Sequence, residues 1–273
     1  MKLIDVSHWQ GNIDFAKVRA NGIEGVIIKA GGSDAGFYKD SMFETNYSRA
    51  KQAGLHVGAY YFVGPGCKTA NDGLADAKRF EAMLAGKQFD LPVYMDVEAP
   101  PAGYKAGVTD SVIAFGDYLE KRGYFVGVYG SDISGFKERM DLDRVKRFTL
   151  WVARYGSQPK YATGWDIWQY TSTGYINGIG GHVDIDECRR DFPSIIKSIG
   201  RNGYGAAPKP TPAPKPAPAP SVQYYTIVSG DTLTKIARKF GTTVNQLVAW
   251  NGIKDKNKIY AGDKIRVKWK SEV

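Results

Sequence analysis

Residues 206–220 read AAPKPTPAPKPAPAP, and seven of the thirteen prolines in this 273-residue chain fall there, at alternate positions. Proline fixes φ and removes a backbone donor, so helix and sheet are both excluded and an extended polyproline II path is favoured. At ~3.1 Å per residue such a segment reaches roughly 45 Å. A chain interrupted in this way folds as two units, here expected over 1–200 and 223–270 with a spacer over 201–222.

The two parts differ in charge. Residues 201–273 hold 13 Lys/Arg and 4 Asp/Glu, so the whole net charge of +9 sits in the tail and residues 1–200 are neutral. That asymmetry suggests an anionic polymer or surface as partner, either nucleic acid or a bacterial wall rich in anionic polymers. The basic residues form no run of five, so solubility alone is the plainer explanation. No apolar run is long enough to span a membrane, which argues against membrane insertion. The opening MKLIDVSHWQ lacks the apolar core and cleavage site of a secretory signal, so the expectation is synthesis in a cytoplasm without one. Cys67 and Cys188 make no disulfide framework, and His8, His56 and His182 have no zinc-site spacing.

Residues 1–200 alternate apolar strands with helical patterns. Strands are expected at Leu3–Val6, Gly25–Ala30, Val57–Phe62, Pro92–Val97, Phe125–Tyr129, Thr149–Ala153, Asp166–Tyr170 and His182–Ile185. Helices are expected at 14–20, 42–53, 75–84 and 110–121, each followed closely by glycine. About eight strands in such alternation predict an α/β fold closing as a (β/α)8-like barrel. The second half is short of helices, so the barrel is expected to be flattened or irregular.

The stretch PVYMDVE, 92–98, ends in two carboxylates two residues apart, Asp96 and Glu98, which a strand directs to one side. A strand running out into solvent explains a lone pair of this kind. Barrel chemistry sits at the carboxyl ends of strands, however, and Asp5 lies near the end of the first strand with Asp184 and Asp186 in the last. A closed barrel would bring these acids to one mouth, where one of them can stay protonated and act as an acid.

DVSHWQG, GAYYF, the DVE strand end, GVYG, LWVARYG, WDIWQYTSTG and GHVDID, occurring in this order, resemble glycoside hydrolase family 25, the Chalaropsis-type lysozymes or N-acetylmuramidases found in many phage endolysins. The resemblance covers about residues 1–195. It implies a flattened barrel that cleaves the β-1,4 bond between N-acetylmuramic acid and N-acetylglucosamine in peptidoglycan, with no cofactor or metal. Glu98 then matches the general acid. Asp96 matches the residue that orients the substrate acetamido group or assists attack, and Asp5 and Asp184 match acids across the cleft. Lys29, Tyr60, Phe62, Tyr129, Trp151, Gln169 and Asp186 fall at positions expected to line the sugar site, Asp186 standing where the family's last motif commonly has Asn. The rings of Trp151 and Trp168 suit core and cleft equally. Endolysin context implies release to the wall through a holin-type opening.

YYTIVSGDTLTKIARKFGTTVNQLVAWNGIKDKNKIYAGDKIRV resembles a LysM domain. Its pattern predicts a small α+β unit of order βααβ, with a capping box at Thr243/Gln246 and Leu233, Ile236, Leu247 and Trp250 as core. The resemblance implies that N-acetylglucosamine-containing glycan meets two loops, at Gly230, Asp231, Thr232 and Leu233 and at Asn251, Gly252 and Ile253. Two alternatives to a wall-lysing enzyme stay open: a wall-glycan-binding protein whose barrel has lost activity, and a chitinase-like N-acetylglucosaminidase. Nucleic-acid binding lacks a recognisable module.

Overall fold

The computed structural model describes residues 1–205 and 221–270. The spacer expected at 206–220 lies outside them. The chain divides between Lys209 and Pro210 into two compact units.

The first unit is built on nine strands: β1 (Lys2–Val6), β2 (Gly25–Gly32), β3 (Tyr38–Lys39), β4 (His56–Phe62), β5 (Val93–Asp96), β6 (Val126–Ser131), β7 (Thr149–Ala153), β8 (Ile167–Gly174) and β9 (Val183–Cys188). Eight of them close into a barrel, and the short β3 extends β2 at the rim. Neighbours from β1 through β2 and β4 to β8 run parallel. β9 is antiparallel to both β8 and β1, and it completes the ring.

Helices α1 (Phe15–Ala20), α2 (Phe43–Gln52), α3 (Ala70–Leu84) and α4 (Lys105–Lys121) follow β1, β3, β4 and β5. Gly54 and Gly123 stand just past α2 and α4 at φ of 74° and 89°, a left-handed conformation that glycine adopts without a Cβ penalty. Later connections shrink to the one-turn α5 (Leu142–Val145), and no helix separates β7 from β8 or β8 from β9. The outer face of β8 is covered instead by side chains: the Trp168 ring lies 5.8 Å from Trp165 and 5.5 Å from Tyr170, and the Arg189 guanidinium sits over Trp165. The flattening expected from the missing helices is met in this way.

Period-two alternation sorts each strand between two cores. Outward residues such as Ile4, Val26, Val57, Met95, Val128 and Val152 bury against the helices. Inward residues Leu3, Ile27, Tyr94, Tyr129, Trp151 and Ile167 pack inside the barrel. Helix α6 (Phe192–Ser198) adds Phe192 and Ile196 to that inner core, below the strands' amino ends. The interior is thus apolar at one end and acidic at the other.

The first unit extends further than the sequence suggests. Asn202 is fully buried, accepts from the Phe125 N–H at 2.7 Å and donates to the Leu91 carbonyl at 2.9 Å, while the Tyr204 hydroxyl donates to Asp90. The spacer expected to start at 201 therefore starts no earlier than 206, because 201–205 are tied into the barrel.

The second unit has the βααβ order: β10 (Ser221–Thr226), α7 (Leu233–Phe240), α8 (Val244–Asn251) and β11 (Lys264–Lys270), the strands antiparallel. Thr243 and Gln246 form the capping box at α8, and Leu233, Ile236 and Leu247 are buried, with Trp250 partly so.

Candidate active site

Ladder register fixes which inward side chains meet. Asp5 on β1 is paired directly with Asp184 on β9. Around the ring, Phe62 pairs with Asp96, Asp96 with Tyr129, and Ala153 with Gln169. These pairs bring Asp5, Lys29, Tyr60, Phe62, Asp96, Tyr129, Gln169 and Asp184 to one mouth of the barrel. Asp184 gets there by a route the strand-end rule does not supply. It lies near the start of β9, and because β9 is antiparallel its amino end shares the mouth with the carboxyl ends of the others.

Glu98 is two residues beyond the last β5 position and exposed at the lip of the cleft, yet the concave walls around it remove much of its hydration. Burial raises its pKa above the ordinary value. A hydrogen bond with Asp96, the charges of Arg139 and Lys29, and a hydrogen bond from Tyr129 pull it back. Of the two causes the sequence suggests, neighbouring carboxylates and partial burial, the desolvating walls cause the rise, and the contact with Asp96 acts in the opposite sense.

Asp96 is 4% exposed and is pushed well up by burial and by the Glu98 charge, with Lys29 opposing. Asp5 is raised well above its ordinary value by burial, then by Asp186 and Asp184, and Gln169 Nε2 donates to its Oδ2 at 2.8 Å. Asp184 is raised to about 6, chiefly by burial, and the Glu98 charge adds to the rise. The buried Lys29 ammonium lies 4.5 Å from the Phe62 ring centroid and 5.5 Å from that of Tyr38. Five carboxyls facing so few cations cannot all ionise near neutral pH, so the cleft stores protons.

Two residues expected to line the sugar site lie beneath it. Trp151 is 1% exposed, ringed by Tyr60, Tyr94 and Tyr129, and its Nε1 donates to Asp186 at 2.8 Å. Asp186 is fully covered. Asp186 lies one layer below the mouth, opposite Leu3, and with Trp151 it is buried under the floor of the cleft and not on its surface. Trp168 is on the outside of the barrel, since its β8 neighbour Gln169 points in. His8 serves as a brace, its Nδ1 2.8 Å from the buried Asp40.

Arg139 and Tyr155 lie near enough to Glu98 to interact with it electrostatically, and both were missed by sequence reasoning. Tyr155 is the last residue but one of the motif LWVARYG, two residues past the end of β7, where the strand-end rule points. Arg139 ends a π-helical turn, Ser134–Arg139, anchored to the Pro100 and Ser134 carbonyls, and no sequence signal marks it. Exposed rings also follow the strands at this end: Trp9 after β1, Phe37 after β2, Tyr104 after β5, Tyr155 and Tyr161 after β7, and Tyr175 after β8. Amphipathic rings on a wet concave face suit stacking against sugars.

In the second unit, several side chains expected to meet glycan are held by the fold. Asp231 Oδ2 accepts from the Tyr225 hydroxyl and the Val228 N–H, and Thr232 caps α7. Leu233 is core at 3% exposure. Asn251 donates to the Leu247 and Arg266 carbonyls and accepts from the Arg266 N–H, which clamps β11. Gly230 and Gly252 hold left-handed turns, and Ile253 packs on the core. What these loops offer a ligand is chiefly main chain.

Residues 4–179 match the family described as "Glycosyl hydrolases family 25", and residues 225–268 match the LysM domain. The autolytic lysozyme of Clostridium acetobutylicum is 35% identical over 188 residues, covering 68% of this chain and 55% of that protein, so this chain spans little more than half its length. The crystal structure of the CTP1L endolysin superimposes with a TM-score of 0.64 at 28% identity, covering 72% of this chain and 69% of that one. The cell wall-binding protein YocH of Bacillus subtilis is 59% identical over 44 residues, 16% of this chain and 15% of that protein.

Proposed function

We propose that this chain, which belongs to glycoside hydrolase family 25, is a peptidoglycan hydrolase cleaving the β-1,4 bond between N-acetylmuramic acid and N-acetylglucosamine. The convergence of Asp5, Asp96, Glu98 and Asp184 on one aromatic-rimmed mouth carries this reading. Glycoside cleavage needs a protonated carboxyl at the leaving oxygen and stabilisation of an oxocarbenium-like centre. Glu98 suits the first need, being at the lip with a raised pKa. It donates its proton to the glycosidic oxygen as the bond to the anomeric carbon breaks. Asp96, buried behind it, orients the substrate acetamido group, whose carbonyl oxygen attacks the anomeric carbon. Water, giving its proton back to the Glu98 carboxylate, then opens the cyclic intermediate with net retention. Asp5 and Asp184 supply negative potential across the cleft.

The LysM unit holds the enzyme on wall glycan, and its 10 Lys/Arg against 3 Asp/Glu over 221–270 favour walls that carry anionic polymers. Residues 1–205 form the catalytic unit and 221–270 the wall-binding unit, with the proline-rich segment as spacer. The site of action is the cell wall.

The test is Glu98→Gln assayed on purified walls. The unmodified protein should release reducing ends that mass spectrometry identifies as N-acetylmuramic acid termini. The variant should lose at least a hundredfold of that activity while still sedimenting with walls. Reducing N-acetylglucosamine ends in their place would favour the chitinase-like alternative, and no release by the unmodified protein would favour a purely binding role.

A further inference from the structure

Gln169 is 3% exposed inside the barrel mouth. Its Oε1 accepts from two hydroxyls, Tyr129 at 2.9 Å and Tyr155 at 3.2 Å, and its Nε2 donates to Asp5. Two hydroxyl donors on one side and a carboxylate on the other fix which end of the amide is which. The amide oxygen has two lone pairs, so with both hydroxyls present it keeps a partner if one of them turns away. Tyr129 also lies near enough to Glu98 to lower its pKa, although its hydroxyl is bonded to Gln169. A phenol has a single hydrogen to give, so Tyr129 cannot donate to Gln169 and to a Glu98 carboxylate at once.

We propose that the Tyr129 hydroxyl is a two-position donor that follows the charge on Glu98, and that Tyr155 is the residue that permits the change of position. While Glu98 is protonated, Tyr129 donates to Gln169 and the single Glu98 hydrogen is left for the glycosidic oxygen. When Glu98 passes its proton to the glycosidic oxygen, the Tyr129 hydroxyl rotates about its C–O bond and donates to the new carboxylate. Tyr155 keeps Gln169 Oε1 bonded meanwhile, so Gln169 holds its grip on Asp5. Tyr129 keeps its own proton throughout, and no bond other than the glycosidic one and the Glu98 O–H is broken.

Tyr129 and Tyr155 are on this view positioning residues, and the inference rests on Glu98 being the acid. Hydrogen bonds to charged groups are strong enough for such a device to be worth about ten- to a hundredfold in rate. The other groups facing Glu98 are Asp96 from β5, Lys29 from β2, Arg139 from the π-helical turn and Asp184 from β9. They are common to every variant below.

The experiment measures the pH dependence of kcat/KM on soluble glycan strands for Tyr129→Phe, Tyr155→Phe and the double variant. Tyr129→Phe should lower kcat ten- to a hundredfold. It should also move the basic limb to higher pH, because Glu98 loses a donor that favours its charged form. Tyr155→Phe should move the same limb in the same direction although Tyr155 acts through Gln169, since Tyr129 is then held on Gln169. The double variant should shift no further than Tyr129→Phe alone. An unmoved limb in Tyr155→Phe, or shifts that simply add, overturns the relay. Glu98→Gln separates the two levels: its inactivity alongside an unmoved Tyr155→Phe limb refutes the relay alone, and retained activity refutes the assignment of Glu98 and the relay with it.

Discussion

Asp186→Asn should make the protein more stable as pH rises. Asp186 is fully buried, one oxygen is bonded by Trp151 Nε1–H, and the other has no partner among the described residues. Burial, with the Asp184 charge adding to it, moves its pKa from the ordinary 3.8 up to about 8, against the pull of the Trp151 bond. A folded-state pKa above the unfolded value means that the native state holds a proton the unfolded chain releases. The carboxyl therefore costs no stability through this route below about pH 4, and an increasing amount from there to about pH 8. At ~1.4 kcal/mol per pH unit the span has a ceiling of ~6 kcal/mol, and sharing of protons with Asp5 and Asp184 lowers this to about 2–5 kcal/mol. Asparagine can still accept from Trp151 and does not titrate. The stability difference between variant and parent should thus grow in the variant's favour by about 2–5 kcal/mol between pH 4 and pH 8. In a unit of this size that is on the order of 10 °C in Tm. Thermal or urea unfolding at pH 4, 6 and 8 measures it, and a difference that stays constant with pH would refute the placement of a neutral carboxyl beneath the cleft.

Two further changes probe packing. Gly73→Ala on α3 puts a Cβ into the carbonyl oxygen of Ser111 on α4, so the helices must separate, and urea unfolding should show a loss of about 2–3 kcal/mol. Asn251→Ala removes three hydrogen bonds to the main chain of Leu247 and Arg266, at about 1 kcal/mol each, and in so small a unit the β10–β11 amide signals in NMR should broaden on heating well before those of the parent.

Local signals made much of the barrel legible. Thr149–Ala153 coincides with the strand expected from its apolar run, and the glycines after α2 and α4 end those helices as their spacing implies. The helix expected at 75–84 starts earlier, at Ala70, because Thr69 caps it and accepts from the Asp72 N–H, a short-range contact that the apolar pattern does not register. The acids were legible by position along strands. Arg139 was not, because its approach to Glu98 depends on a π-helical turn and on its side chain donating to the carbonyl of Pro100, 39 residues away. Nor was the sinking of Trp151 and Asp186 below the mouth, since inward direction shows in the alternation and depth does not.

By itself, the sequence determined that this protein has two folded parts, that the first alternates strand and helix, and which acids belong to strand ends. Those properties come from proline chemistry and from periodicity, which act over a few residues. Only the tertiary structure decided that the last strand runs backwards and so delivers Asp184 to the mouth beside Asp5. It alone decided which carboxyls are dry enough to keep their protons. Both depend on side chains brought together from positions more than a hundred residues apart, where register and burial, rather than local sequence, set the electrostatics.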